Sequence, residues 1–319
     1  MSFARFMELA LYHPERGYYA RSRRRIGRTP ETDFFTAASL GPLFGELVVE
    51  ACITLLGPRS PGAHTFVEIG VESAGEGGGA AGGGVIEGVA HPFGAARTSP
   101  RGRPLVIPSP AVVFSNELFD AQPCHRVVRT GGRWHEVGVA ARGDALVEVL
   151  LEEFTPEVAA VADRLPAAAE GYRIDLPLAA VQLVRQIGTQ PWTGLFVAFD
   201  YGKSWRELAE EMPAGTVRAY RRHRQSGDLF AHPGEQDLTC HVCWDWLAAA
   251  LAEQGFAAPG LESQEAFFVH HASAALGRIA AAEAGRFSSR KLGVMQLLHP
   301  GNMGQKFQVL WALRDQTGE

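Results

Sequence analysis

The stretch Phe66-Val67-Glu68-Ile69-Gly70-Val71-Glu72-Ser73-Ala74-Gly75 constrains this chain more than any other. A short apolar run (Phe66, Val67, Ile69) needs no alternation of polarity, so it predicts a buried parallel strand covered on both faces. Glycines begin where that strand should end. Gly70 is open to backbone conformations closed to other residues and lets a ligand approach the main chain. Glu68 then lies toward the strand's carboxyl end, where open α/β sheets bind nucleotides, and Glu-x-Gly there suits the adenosyl end of a cofactor. The chain has no GxGxxG, which weakens a dinucleotide reading, and no GxxxxGK[ST], which removes the P-loop. A plain strand ending in a flexible loop fits this stretch as well, so the decision falls to the rest of the sequence.

At 319 residues there is room for one α/β domain with insertions or for two small domains. A formal charge of −5 and a pI near 6.1 speak against a general nucleic-acid binder. Arginines cluster at Arg21 to Arg25 and Arg218 to Arg224, as solvated surface or as a meeting point for an acidic partner. Four cysteines make no disulfide framework. Cys240-His241-Val242-Cys243 has CxxC spacing but no second pair to complete a tetrahedral site, so a structural turn and helix start is expected, with no metal. No apolar run approaches the ~20 residues that cross a bilayer, and the N-terminus lacks a signal pattern. The expectation is a soluble, cytoplasmic protein without membrane insertion.

Along the chain, Phe3, Phe6, Met7, Ala10 and Leu11 have helical spacing, and Leu40 to Leu56 predicts a second helix ended by Gly57-Pro58. Gly75 to Gly84 is nearly all glycine and alanine and reads as a flexible loop. Val85 to Ala90 predicts a short helix, and prolines and glycines from His91 to Pro110 exclude any long element. Ala111 to Phe114 is the next buried strand. Short β-rich runs between Arg126 and Leu151 predict antiparallel hairpins. Pro156 to Arg164 and Pro177 to Ile187 follow as helices, with Pro177 in the first turn. Leu195 to Phe199 is another strand, Trp244 to Glu253 a helix, and Phe267 to Val269 and Phe307 to Trp311 closing strands. The alternation fits a doubly wound sheet carrying a β-rich insertion.

Three strands thus end in polar residues: Glu68, Asn116-Glu117 and Asp200. Carboxyl ends share one edge of a parallel sheet, so these groups converge there. Group transfer from a sulfonium cofactor needs acceptors for ribose and adenine and a polar wall that orients the nucleophile. Carboxylates suit a guanidinium nucleophile, whose fork they bind bidentately. Glu117 and Asp120 are the candidates, with Asn116 and Gln122 beside them. The competing role for both acids is to cap the following helix.

In order along nearly the whole chain stand Phe6-Met7, Leu11-Tyr12-His13-Pro14, Gly17-Tyr18-Tyr19, Asp33-Phe34-Phe35-Thr36, Phe44-Gly45-Glu46, Val67-Glu68-Ile69-Gly70 and Asn116 to Pro123. Asp200-Tyr201-Gly202, Gly215-Thr216, Tyr220, His223, Pro233 to Thr239 and His241-Val242 follow. With these motifs the chain resembles the MidA-like family of S-adenosylmethionine-dependent methyltransferases. The family's mitochondrial members methylate an arginine in a subunit of respiratory complex I and assist assembly of that complex. The resemblance implies a Rossmann-like α/β methyltransferase fold: a mostly parallel sheet with helices on both faces, an N-terminal helical extension and a β-rich insertion. Its parts would be residues 1–60 (helical segment and cofactor lid), 61–125 (first part of the core), 126–170 (insertion) and 171–319 (second part of the core). It also implies S-adenosyl-L-methionine as cofactor, held by Asp33, Phe35, Thr36, Glu68 and Gly70. Catalytic Asn116, Glu117 and Asp120 and a protein substrate complete the implied assignment.

The departures are specific. Glu72 and Ala74 stand where the family usually has glycines, and the segment from Gly75 to Pro110 is compressed. Glu87 lies about the ~20 residues past the motif where a ribose acid is sought, but aligns better with the family's first helix. This leaves the ribose ligand unassigned. Two rival classes follow: a methyltransferase fold that serves as a binding protein or assembly factor, and a nicotinamide-dependent oxidoreductase resting on the generic strand–glycine pattern. Calorimetric titration with S-adenosylmethionine and with NAD separates the three. The glycine run carries its own prediction. Ordering backbone costs ~1–2 kcal/mol per residue with no side chain to bury in return. Shortening Gly75–Gly84 should therefore leave the unfolding temperature nearly unchanged, and a large drop would show that the segment is packed.

Overall fold

The computed structural model describes residues 1–21, 25, 32–33, 37–71, 84–285 and 288–315. Of the glycine run expected to be flexible, only Gly84 lies among them. Helices α1 (Phe3–Tyr12) and α2 (Pro42–Leu56) precede strands β1 (Thr65–Val71), β2 (Ala95–Pro100) and β3 (Ala111–Asn116). Strands β4 (His125–Thr130), β5 (Arg133–Arg142) and β6 (Ala145–Leu150), the short α3 (Pro156–Ala159) and β7 (Arg173–Leu176) come next. After α4 (Leu178–Gly188) run β8 (Gly194–Asp200), β9 (Gly202–Lys203), β10 (Arg218–Arg221), β11 (Arg224–Ser226), β12 (Asp237–Thr239), β13 (Val242–Cys243) and α5 (Trp244–Glu253). The chain closes with β14 (Gly260–Ser263), α6 (Gln264–His271), α7 (Ser273–Ala282), α8 (Ser289–Leu298) and β15 (Gln308–Arg314).

The apolar runs converge into one six-stranded sheet of order β14-β15-β8-β3-β1-β2. The β2–β1, β1–β3 and β3–β8 pairs are parallel, and β15 lies antiparallel to both β8 and β14. All seven residues of β8 are buried, as expected of a strand covered on both faces. One face carries α2, α6, α7 and α8, where the Phe44 ring meets Phe114, Phe199 and Phe268 edge-on at 5.5–6.5 Å between centroids. The other carries α4 and α5, packed through Val184, Leu247 and Leu251 against Val113 and Phe196. The predicted hairpins form a separate antiparallel sheet of order β6-β5-β4-β7, whose fourth strand lies beyond residue 170. Helix α1 buries Phe3, Phe6, Met7 and Leu11 in a third cluster with Val139, Leu229 and Leu238.

Three expectations need correction. Phe267 to Val269 is helical, within α6: Ser263 caps the helix through an acceptor to the Ala266 N–H, and Phe267 and Phe268 both turn into the core. Val85 to Ala90 forms turns and no helix. The proline- and glycine-rich stretch before Pro110 holds no long element, as expected, but does supply a short parallel strand, β2, which pairs with β1 from Thr65↔Ala95 to Val71↔Pro100. Pro177 sits just before α4, as its cap residue.

Register decides what reaches the sheet's carboxyl edge. Glu68 lies opposite Phe114, whereas Asn116 ends β3 opposite Phe199. Glu68 is therefore two residues, ~6.6 Å at 3.3 Å per residue, short of the level that Gly70 and Asn116 reach. At the opposite edge Gly194 opens β8 with φ +125°, and a Cβ there would lie 2.0 Å from the Ala111 carbonyl oxygen. Gly194→Ala should cost about 2–5 kcal/mol, adding a backbone clash to an unfavourable φ. Gly57→Ala, at φ +59° in open space, should lose only the conformational ~1–2 kcal/mol. Urea denaturation of the two variants checks this, and equal losses would contradict the packing argument.

Candidate active site

β3 delivers Asn116 and Glu117 to the sheet's carboxyl edge and there changes direction. Glu117 takes a left-handed φ of 51°, a conformation that costs a non-glycine residue free energy and clusters at functional sites. Its N–H donates to the Phe199 carbonyl at 2.9 Å, and its Oε1 accepts from Asn116 Nδ2 at 3.1 Å. The turn that follows is held by Asp200, fully buried at the end of β8. Asp200 accepts from the N–H groups of Phe119 (2.8 Å), Asp120 (3.2 Å) and Tyr201 (2.8 Å). Asp120 is 5% exposed, and its Oδ1 has no hydrogen-bond partner; nor do Asn116 Oδ1 and Ser115 Oγ.

The wall opposite is aromatic. Tyr12 donates to the Ala121 carbonyl at 2.8 Å and stacks on Tyr19 at 5.3 Å between centroids. Tyr19 donates to Asp237 Oδ1 at 3.2 Å. A guanidinium lies among these groups, and a second, Arg25, approaches the Tyr19 ring at 5.5 Å. Arg101, one residue past β2, donates from Nε to the Gly70 carbonyl at 3.1 Å, from Nη2 to the Glu117 carbonyl and from Nη1 to Tyr12 Oη at 3.4 Å. Its Cζ lies 4.6 Å from the Tyr19 ring centroid.

Burial governs the acids. It pushes Glu117 up to about 8, with the Asp120 charge adding and Asn116 and Arg101 opposing. Burial also lifts Asp120 to about 6 against the pull of Arg101, and lifts Asp200 well above the ordinary range despite its backbone donors. An unpaired buried charge is costly, and burial keeps Glu117 and Asp120 raised even with the Arg101 guanidinium pulling both down.

Asn116, Glu117 and Asp120 are brought together as expected. The residues assigned to the cofactor are placed differently. Gly70 (φ +77°) reaches the same edge and lends its carbonyl to Arg101, while a Cβ there would meet the Leu118 side chain at 2.5 Å. Glu68 Oε2 accepts from the Val85 N–H, which ties the returning chain to β1, and burial lifts its pKa to about 7. Asp33 accepts from Tyr18 Oη at 2.7 Å and from the Arg222 N–H at 2.8 Å, clamping the N-terminal segment to the turn after β10. Phe35 and Thr36 lie outside the described residues. Sequence reading missed Arg101 and did not assign roles to Tyr12 and Tyr19. The two tyrosines stand in quoted motifs, whereas nothing in Pro100-Arg101-Gly102 signals a site.

Cys240 and Cys243 are buried, with Cys243 immediately before α5, and burial pushes its thiol up to about 12. No metal-binding group of three or more His, Cys, Asp or Glu occurs among the described residues. The edge fits an adenosyl–amino acid cofactor. Asn116 Oδ1 and Asp120 Oδ1 are acceptors in need of donors, as an α-ammonium supplies. A cleft of about 1010 Å³ leads to this edge, lined there by Tyr12, Gly70, Arg101 and Leu118, and farther out by Leu105, Val181 and Gln182.

A family model described as "Putative S-adenosyl-L-methionine-dependent methyltransferase" matches residues 102–261, half of the chain. Among solved structures, a COG1565 superfamily member from Burkholderia thailandensis bound to S-adenosyl-homocysteine superposes with a TM-score of 0.83. It is 26% identical, over 100% of this chain and 89% of that one. A native structure of a COG1565 superfamily protein from the same organism gives 0.79 at 26% identity, over 100% and 88%. No curated protein matches the chain.

The raised pKa of Glu117 has a definite sign. A carboxyl whose folded pKa exceeds its unfolded value stabilises the fold fully below the unfolded value, and that contribution is lost as pH climbs through the folded one. For Glu117 the window runs from 4.5 to about 8. Glu117→Gln, which cannot ionise, should gain in melting temperature relative to wild type as pH rises from about 5 to about 9, as read by scanning calorimetry across that range. A difference independent of pH would show that Glu117 is not held protonated.

Proposed function

The chain belongs to the S-adenosyl-L-methionine-dependent methyltransferase family, and from that premise we propose that it methylates an arginine side chain of a protein. The observation that carries the reading is the acid group beside Tyr12 and Tyr19: buried Asp120 and Asp200 with the partly buried Glu117. Carboxylates bind the planar guanidinium fork, and aromatic rings stack on its face. A lysine ammonium, a compact and strongly hydrated point charge, matches such a wall less well.

The cofactor belongs at Gly70 and Asn116, with Asp120 beside them, and supplies an electrophilic methyl on its sulfonium. The protein's own contribution is position and charge. Asn116 fixes the Glu117 carboxylate by its 3.1 Å hydrogen bond, and Asp200 fixes Asp120 by holding that residue's backbone. A guanidinium bound between them lowers the pKa of both acids, since an opposite charge favours the ionised form. The ionised carboxylate then localises the guanidinium charge away from the attacking nitrogen and receives the proton that nitrogen gives up. These are preorganised electrostatic effects in a site shielded from water.

Labelled methyl transfer to a protein extract depleted of methylation, with acid hydrolysis to identify the product amino acid, tests the reading. Methylarginine is expected, and label found on lysine or on no protein would overturn it. Glu117→Gln keeps shape and some hydrogen bonding but loses the charge. Its transfer rate should fall about 10²-fold or more, the scale lost with one positioned electrostatic group. If Glu117→Gln transfers at the wild-type rate, the acid is structural.

A further inference from the structure

In an open α/β sheet, an acid near the end of the second strand serves a cofactor ribose. Here that place is taken by the opposite charge, Arg101. Its contacts are those that a guanidinium ligand of the site would make: two carbonyls from two strand ends, a tyrosine hydroxyl and an aromatic face. Its charge also acts on Glu117 and Asp120, lowering both against burial. The main chain that carries it is differently placed. Arg101 begins an exposed turn in which Gly102 has φ +73° and open space around it, and the Arg103 N–H returns to the Pro100 carbonyl at 3.3 Å. Arg101 also lines the cleft of about 1010 Å³, so its side chain has room to leave the edge without unfolding a strand.

Resting on the arginine reading above, we propose that Arg101 is an internal guanidinium plug of the acceptor pocket, displaced through the cleft by an arginine side chain of the substrate polypeptide. In the resting protein the plug supplies the cation that the buried acids require, and substrate arginine substitutes one guanidinium for another. The exchange keeps the local charge constant, so neither state exposes the cluster unpaired. It also sets a selectivity. A ligand must match the plug's planar, many-donor geometry to replace it, which an ammonium does not.

The test needs no methyl donor, so its outcome is separable from that of the transfer reaction. Arg101→Ala empties the pocket. Millimolar guanidinium chloride should then raise the variant's melting temperature relative to the same concentration of sodium chloride, and leave wild type unmoved. A short arginine-containing peptide should bind Arg101→Ala at least about tenfold more tightly than wild type, since a self-occupied site reduces apparent affinity by its open fraction. The lysine counterpart of that peptide should gain far less. Arg101→Lys guards against loss of folding: it keeps a charge and a long stem, and its peptide affinity should fall between the other two. If guanidinium does not stabilise Arg101→Ala and both variants bind the arginine peptide no better than wild type, Arg101 is a fixed structural clasp and the proposal fails. Equal gains for the arginine and lysine peptides would overturn the guanidinium selectivity and with it the plug.

Discussion

The geometry of the edge depends on Asp200. Placed at the end of a wholly buried strand, its carboxyl accepts from the backbone of Phe119, Asp120 and Tyr201 and so fixes the course of the chain just after β3. That course includes the left-handed Glu117. Burying three backbone donors without partners would be costly, so one acid satisfies what the sharp exit from β3 leaves open. The price is a carboxyl in a dry place, beside two more. Acids so crowded are poor material for a core and good material for a cation site.

Much of this arrangement was legible in the residues. β1, β3 and β8 are short apolar runs bounded by polar or glycine punctuation, and buried parallel strands look that way. Once they are strands, their carboxyl ends share an edge, which brings Asn116, Glu117, Asp120 and Asp200 together without further information. What was not legible has separate physical causes. β2, Ala95-Ala96-Arg97-Thr98-Ser99-Pro100, is an edge strand with no buried residue, so it carries no apolar signal. Its pairing comes from the neighbouring β1. Phe267 and Phe268 form a run too short to separate helix from strand, and the Ser263 cap decides for helix. Glu68 was read as an edge residue, but β1 continues three residues beyond it.

Arg101 shows the limit most clearly. Its role arises from tertiary contacts with Gly70, Glu117, Tyr12 and Tyr19, residues distant from it in sequence, and its own neighbours are prolines, glycine and arginine. The compressed segment between β1 and β3 left the ribose ligand unassigned in the sequence. With β2 in place and a guanidinium at its end, that segment retains a strand of the sheet and adds a positive charge to the site.

The account turns on acids that burial raises and that a guanidinium, whether Arg101 or a substrate's, draws toward ionisation. Calorimetric titration of the Arg101→Ala protein with guanidinium chloride near pH 7, repeated in buffers of different ionisation enthalpy, measures the protons exchanged on binding. The account predicts release of about one proton per guanidinium bound, because the cation lowers the pKa of a carboxyl that burial had raised. Binding with no dependence on the buffer, or with proton uptake, would contradict it.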